Sequence, residues 1–385
     1  MYNILLLLHK DTYSATGKTM SRTDMNMAIK RLKEFDTDYR EVHSQVLQNM
    51  SDRIAKAFNA FFRRLEEMRA GRKVKVGYPR YKRILKSITY PQSGFKPVTD
   101  RRLYISKVGN VHIVLHRPVQ GKVKTMTVKR TRSDKWFVVF SCEAEDGPEK
   151  HPETALRPLH PFSQRHIGID VGLTSFAVDS DGGVIENPRY LIKSEGRLKK
   201  LQRRVSRKVK GSSNRRKARL RLSRLHEKIA NQRKDFLHKE SRRIADGYGL
   251  IGVEDLSISN MLRNHNLAKH ISDASWGKFL QMIGYKAESA NARFVAVDPR
   301  GTTSECSGCG ADVPKELSDR THECPECGLV LPRDHNSALV IKKRAEHTVG
   351  LTGIDACGDL TTTVRFGRSA SQVHEAGTTY DNRPI

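Results

Sequence analysis

Two spacings of apolar residues divide the first part of the chain. From Met1 to about Arg72, apolar positions recur at intervals of three and four, the period of helices that each bury one face. Val46, Met50, Ile54, Ala57, Phe58, Phe61, Phe62 and Leu65 form the clearest stripe, Arg31 to Phe35 a shorter one. The run Ile4 to Leu8 has no basic flank or small-residue cleavage site of a signal peptide and reads as the buried face of another helix. Arg63, Arg64, Arg69, Arg72 and Lys73 gather at the far end of this region. Gly77-Tyr-Pro-Arg-Tyr-Lys then breaks the helical pattern. Short alternating segments follow at Ser87–Tyr90, Leu103–Ile105, Val111–Leu115, Val123–Lys129 and Trp136–Cys142, parted by turn residues at Gly94, Pro97, Gly109-Asn110 and Ser133-Asp134. They predict a small antiparallel β-barrel preceded by a helical segment. Glu145 to Pro161 is proline-rich and aperiodic, a linker.

The pattern changes again at His166. Ile167–Val178 and Val184–Asn187, around a Ser180-Asp-Gly-Gly turn, predict a hairpin opening a mixed sheet. Within such apolar runs sit Asp170, in His166-Ile-Gly-Ile-Asp-Val-Gly-Leu, and Glu254, in Leu250-Ile-Gly-Val-Glu-Asp-Leu. Asp334, in Arg333-Asp-His-Asn-Ser-Ala-Leu, opens an apolar helical stretch running from Asn336 to Ile341. An unpaired carboxylate is costly to bury, so one inside an apolar strand needs a metal ion or hydrogen-bond partners. Three carboxylates brought from separate elements are what a divalent-metal phosphodiester site requires. The expected chemistry is that of a nuclease.

Charge agrees with a polyanionic partner. The 385-residue chain carries a formal net charge of +28 and a sequence pI near 10.0, which attracts phosphate backbones over long range. Half of that excess is concentrated: Arg197 to Arg224 holds 14 Lys or Arg and no Asp or Glu in 28 residues. Leu198, Leu201 and Val205, then Leu220, Leu222 and Leu225, give the run two helical faces, with a break at Gly211-Ser-Ser-Asn. A solvated face is the ordinary fate of a charge run, but one sign without partners repels itself. Arg197, Lys199, Lys200, Arg203, Arg204, Arg207, Lys208, Arg215, Arg216 and Lys217 are therefore the candidate nucleic-acid contacts. With 7% aromatic residues, base stacking is not the leading signal, and 37% apolar residues suffice for two or three cores. No segment approaches the roughly 18 apolar residues of a membrane span.

Four of the six cysteines read Cys306-x2-Cys309-x14-Cys324-x2-Cys327. Paired knuckles at this spacing are a zinc signature, and a closed four-thiolate shell leaves no open position, so the ion would be structural. It would fix the approach to the helix bearing Asp334, seven residues after Cys327. Cys142 reads as a small core residue, and Cys357 has no evident partner. Nothing directs export, and reduced cysteines fit a cytoplasmic, nucleoid-associated prokaryotic protein.

Gly168-Ile-Asp-Val-Gly-Leu-Thr-Ser-Phe-Ala, Val253-Glu-Asp-Leu-Ser-Ile-Ser-Asn-Met, the cysteine pairs and Arg333-Asp-His-Asn-Ser-Ala together resemble the TnpB family of insertion-sequence proteins. So do Leu201-Gln-Arg-Arg-Val-Ser-Arg-Lys, Lys228-Ile-Ala-Asn-Gln-Arg-Lys-Asp-Phe and Gly77-Tyr-Pro-Arg-Tyr-Lys. The resemblance spans most of residues 1–345 and implies a RuvC-like nuclease domain of RNase H-like α/β fold, interrupted by a zinc ribbon. Members are RNA-guided DNA endonucleases related to compact type V CRISPR effectors. Asp170, Glu254 and Asp334 would then hold two Mg²⁺ ions about 4 Å apart. Cys306, Cys309, Cys324 and Cys327 would hold one Zn²⁺. The partners would be a guide RNA and target double-stranded DNA, with no membrane and no small-molecule cofactor.

The implied layout is a helical recognition segment at 1–75, an antiparallel β-barrel at 76–145, a linker at 146–164 and the nuclease domain at 165–345. The nuclease domain includes a basic helical hairpin at 195–246 and a zinc ribbon at 302–330, and a disordered tail is expected at 346–385. Two departures stand out. Relatives usually begin with an additional strand and helix of roughly 20 to 30 residues, whose loss would leave the barrel an open edge. The usual Asp-Arg-Asp is here Pro332-Arg333-Asp334, which keeps the carboxylate that the family pattern makes catalytic. The alternatives are a decayed, nuclease-inactive RNA-guided DNA-binding protein of the same family and a DDE-type transposase. The transposase usually places its Glu last and on a helix, whereas here it is in the middle and on a strand.

Overall fold

The computed structural model describes residues 1–99, 101–116, 118–119, 121–143, 164–316 and 318–350. Most of the expected linker, Cys357 and the tail beyond residue 350 lie outside them. The described chain divides into two compact units, residues up to 143 together with Lys208–Arg224, and residues 164–207 together with 225–350.

In the first unit the helical stripe becomes three helices, α1 (Tyr2–Thr16), α2 (Arg22–Phe35) and α3 (Ser44–Arg69). A capping box starts α2: the Ser21 hydroxyl accepts from the Asp24 N–H, and the Asp24 carboxylate accepts from the Ser21 N–H. Leu5, Leu6, Met25, Ile29, Leu47, Met50, Ile54 and Phe58 close a common core. Two three-stranded antiparallel sheets follow. One has the order β1 (Ser87–Tyr90), β5 (Lys122–Arg130), β6 (Trp136–Glu143); the other β2 (Phe95–Thr99), β3 (Arg102–Ile105), β4 (Gly109–His112). They share a core of Tyr90, Leu103, Ile105 and Met126 with Val46 of α3.

Four expectations fail here. Cys142, read as a core residue, is exposed at the end of β6, and Gly109-Asn110, read as a turn, opens β4 because the turn falls just before it. Pro97 lies inside β2 instead of in a turn; β2 is an edge strand with a register shift between Pro97 and Thr99, where a residue without an N–H is tolerated. The strand expected at Val111–Leu115 ends at His112. Its partner β3 is used up there, since Ile105 pairs with Gly109 and Arg102 with His112 across a turn whose Lys107 has φ 67°.

The second unit is built on a five-stranded mixed sheet of order β11-β10-β7-β8-β9. β7 (His166–Val171), β8 (Ala177–Asp179) and β9 (Val184–Ile185) are successive antiparallel strands. β10 (Leu250–Glu254) runs parallel to β7 on one side and to β11 (Arg293–Val297) on the other. The stretch Ile167–Val178, expected as one strand, is broken after Val171, where the Gly172 N–H donates to the Phe176 carbonyl. Between β9 and β10 run α4 (Tyr190–Ser206) and α5 (Ser213–Gly247). Next come α6 (Ile258–Met261), α7 (His265–Ala274) and α8 (Trp276–Ser289), then a β12 (Thr321–Glu323)/β13 (Val330–Pro332) hairpin and α9 (Arg333–Thr348).

Alternation sorts the sheet's faces. Ile167, Ile169, Ile251 and Val253 point into a core with Phe176, Leu237, Ile244, Phe279 and Ile283. The intervening positions, Gly168, Asp170, Gly252 and Glu254, face the other way, toward α9. Among the described residues no helix is long and apolar enough to cross a membrane.

Candidate active site and metal centre

Asp170 and Glu254 become neighbours through strand register. Val253 lies opposite Ile169 in the parallel pairing of β10 with β7, so the next residue of each strand, Glu254 and Asp170, stands side by side on one face. Asp334 approaches from above. A Cβ added to Gly168 would meet the Ala338 carbonyl oxygen at 2.0 Å, and one on Gly252 would meet the Ala345 Cβ at 2.7 Å. Only bare glycine backbone lets α9 lie this close. Asp334 is one helical turn before Ala338, and Asp170 is two strand residues beyond Gly168. These offsets are similar, about 6.0 Å and 6.6 Å, so Asp334 comes to the end of the sheet where Asp170 and Glu254 lie.

The electrostatics record the convergence. The Asp170 carboxyl is pushed well above the usual carboxylate range, first by burial and then by the charges of Glu254 and Asp334, with Arg333 opposing. Glu254 is also raised by burial, against the Thr302 hydroxyl and the Arg344 charge, which lower it. The buried Thr302 places its Oγ1 2.5 Å from Glu254 Oε1 and 3.0 Å from the Pro299 carbonyl oxygen. Arg344 of α9 holds the loop after β11: it donates to the carbonyls of Asp298 and Arg300, both at 2.8 Å, and pairs with Glu305 at 2.5 Å. Half-buried carboxylates, Asp170 in the field of the other two and Glu254 relieved by Thr302 and Arg344, are hard oxygen donors suited to a divalent cation.

The four cysteines are brought together. Their sulfurs all lie within 4.8 Å of one another, with Cys306–Cys327 and Cys309–Cys324 each 3.6 Å apart. A tetrahedron with Zn–S bonds of about 2.3 Å has edges of about 3.8 Å, so the sulfurs fit one zinc ion. Each knuckle turns back on itself: the Gly310 N–H donates to the Cys306 carbonyl and the Gly328 N–H to the Cys324 carbonyl, with φ 80° and 71° at the two glycines. Leu329's N–H lowers the Cys327 thiol, but burial and the neighbouring sulfurs outweigh it and push Cys327 up to about 12.

Three residues that the sequence reading passed over complete this arrangement. Asn336, fully buried on α9, accepts from the Ser307 N–H at 2.9 Å and donates to the Glu305 carbonyl at 2.7 Å. It ties the first cysteine knuckle to the helix that carries Asp334. Thr302 and Arg344 are the other two. Their nearest signal in the sequence is the polar Asp334-His-Asn-Ser cluster at the start of an otherwise apolar helix.

Nine of the ten candidate nucleic-acid residues are exposed: Arg197, Lys199, Lys200, Arg203, Arg204 and Arg207 in or just after α4, and Lys208, Arg216 and Lys217 in the first unit. The tenth, Arg215, is half-buried and donates to the Lys208 carbonyl at 2.7 Å, closing the turn before α5. The acid-free run is not wholly without partners, since Lys199 pairs with Glu195 at 3.0 Å. The buried Asp273 of α7 caps the start of α4, accepting from the N–H groups of Leu191 and Ile192 while it pairs with Arg233 at 2.8 Å.

Residues 148–265 match the family model OrfB_IS605, described as "Probable transposase", and residues 276–341 match the Cas12f1-like TNB domain. A Streptomyces pristinaespiralis protein named "Putative RNA-guided DNA endonuclease" is 35% identical over 326 residues, covering 83% of this chain and 74% of its own. A counterpart from Escherichia coli K12, InsQ, bears the same description and is 29% identical over 347 residues, 86% and 79% of the two chains. The CRISPR-associated endodeoxyribonuclease Cas12f1 of Sulfoacidibacillus thermotolerans is 27% identical over 219 residues, 54% of this chain and 50% of that one.

Proposed function

This chain belongs to the TnpB family of insertion-sequence proteins, and from that premise we propose that it is an RNA-guided, metal-dependent DNA endonuclease. Its cutting site is Asp170, Glu254 and Asp334, held on an RNase H-like sheet. The observation that carries this reading is the register of β7 with β10, which sets Asp170 beside Glu254 under the helix that bears Asp334 in its first turn. The 3-2-1-4-5 order of the mixed sheet, three antiparallel strands and then two parallel ones, supports the fold assignment.

Bound Mg²⁺ would supply an activated water and stabilise the leaving oxygen. The protein's own part is to hold three carboxylates rigidly and to keep Asp170 and Glu254 ionised where burial favours their protonation. β7 and β10 fix two of them, α9 the third, and Thr302 holds Glu254 in one orientation through its hydroxyl. Cys306, Cys309, Cys324 and Cys327 would hold one structural Zn²⁺, and Asn336 would pass the order of that cluster to the start of α9. The exposed cations of α4 and of residues 208–217 would neutralise phosphates, while base pairing with a guide selects the target.

The test is to express the chain with its native flanking DNA, sequence the RNA that co-purifies, and challenge the complex with matched duplex in Mg²⁺. One abundant RNA with a variable tail, and cleavage of the duplex matching that tail, is the expected result. Random cellular RNA and no programmed cleavage would overturn the guided reading.

A further inference from the structure

Between α3 and β1 the chain runs from Arg72 to Lys86 without helix or strand, carrying seven Lys or Arg and no acidic residue. A loop of this kind usually floats, but here it is pinned. Asn3 of α1 receives the Lys82 N–H at 2.8 Å and donates to the Lys82 carbonyl at 3.0 Å, a two-point clamp on the backbone. The Lys82 ammonium also lies 4.2 Å from the centre of the buried Tyr2 ring.

The clamp presents two aromatic side chains, Tyr78 and Tyr81, which remain 43% and 50% exposed. Tyr78 is backed edge-on by Phe58 and Phe61 of α3, with ring centroids 5.4 and 5.1 Å away. One cation serves both tyrosines: Lys10 Nζ lies 5.3 Å from the centre of Tyr78 and 4.5 Å from that of Tyr81. Two half-open rings, one of them backed by an aromatic wall, share the Lys10 cation and sit in a loop free of acidic residues, which combines π-faces for bases with charge for phosphates. A folding role explains the buried Tyr2 and the backed edge of Tyr78. It does not explain an exposed Tyr81, or seven cations with no acid among them.

We propose that Tyr78 and Tyr81, with Lys10 and the cations of Arg72–Lys86, form a stacking platform for unpaired bases of single-stranded nucleic acid. This rests on the reading of the protein as a nucleic-acid enzyme and adds a site outside its carboxylates, zinc cluster and basic run. The strand can be an unpaired part of the guide RNA or a displaced DNA strand, since stacking reads neither sugar.

Fluorescence anisotropy of the full-length protein with three labelled probes of equal length separates the cases. The probes are an unstructured mixed-sequence RNA, its DNA counterpart and a DNA duplex. Tyr81→Ala is the primary variant because Tyr81 is not wedged against α3; Tyr78→Ala is compared only after its thermal melt matches wild type. The expected result is that Tyr81→Ala weakens single-stranded binding at least about fivefold, as for loss of one stacked base. Its salt slope should stay at the wild-type value because no phosphate contact is removed. Tyr81→Phe keeps wild-type affinity, and duplex binding does not change. A loss confined to RNA identifies the guide as the occupant, and one confined to DNA the displaced strand. Unchanged single-strand binding in Tyr81→Ala, or an equal loss for the duplex, overturns the platform alone. Wild-type protein that binds none of the probes overturns the nucleic-acid reading along with it.

Discussion

The Cα of Gly168 packs so close to the Ala338 carbonyl that a Cβ added there would stand 2.0 Å from the oxygen. The obstacle is helix backbone, which cannot rotate aside. Gly168→Ala should therefore lift α9 from the sheet, costing about 1–3 kcal/mol or more and carrying Asp334 away from Asp170. Gly252→Ala meets mainly the Ala345 side chain. Combining Gly252→Ala with Ala345→Gly should recover stability that either change alone loses, a favourable coupling measurable in a denaturant double-mutant cycle. A Gly168→Ala protein with wild-type melting and cutting would refute the close approach.

Asp170 is the most strongly opposed charge in the site. Asp170→Asn should abolish cleavage while leaving nucleic-acid affinity within the range of the parent protein. In metal-free protein at neutral pH it should also stabilise the fold, by on the order of 1 kcal/mol or more. The raised carboxyl binds its proton more tightly in the folded chain than in the unfolded one. Its favourable contribution is therefore complete at acid pH and disappears as pH rises through the folded-state value. Metal-free wild type should gain stability relative to Asp170→Asn as pH falls. Bound divalent cation reverses the ordering at neutral pH by favouring the ionised form.

Thr302→Val removes the hydroxyl beside Glu254 at nearly constant volume. That hydroxyl lowers the Glu254 carboxyl against the burial that raises it, so its loss raises the carboxyl further. The acid limb of the cleavage rate should move to higher pH, with little change in rate on the alkaline side. A pH–rate profile with an unmoved acid limb would remove Thr302 from the site.

Cys306→Ser should release one equivalent of zinc, read by metal analysis. It should destabilise the second unit by several kcal/mol, a modest part of the binding energy typical of structural zinc. Cleavage should fall as well, because Asn336 would lose the ordered Ser307 and Glu305 backbone that it bridges.

What the sequence made legible follows from how each feature is encoded. A buried carboxylate in an apolar run and a cysteine pair at fixed spacing are local, so Asp170, Glu254 and the four cysteines could be picked out by reading along the chain. Their meeting is non-local. It depends on the pairing of Val253 with Ile169 and on glycines that look unremarkable until a helix is laid across them. Thr302 sits in a loop with no periodicity, and only contact with Glu254 marks it. Pro97 was misplaced because a proline in an edge strand and a proline in a turn look alike before the strand order is known. The ten candidate cations within the basic run are equivalent in sequence, and only folding turns Arg215 inward to close a turn.

The order of the elements along the chain has a consequence for the protein while it is being made. β7 and β10 emerge with two carboxylates and a bare glycine trough between them, but the helix that fills the trough and brings the third carboxylate is the last described element, beginning at Arg333. A chain still on the ribosome can already expose the cations of α4 and the Arg72–Lys86 loop to RNA, yet it holds an unfinished blade. On the proposed function, nucleic acid would find the chain's cations before the three carboxylates were assembled, an order set by synthesis itself.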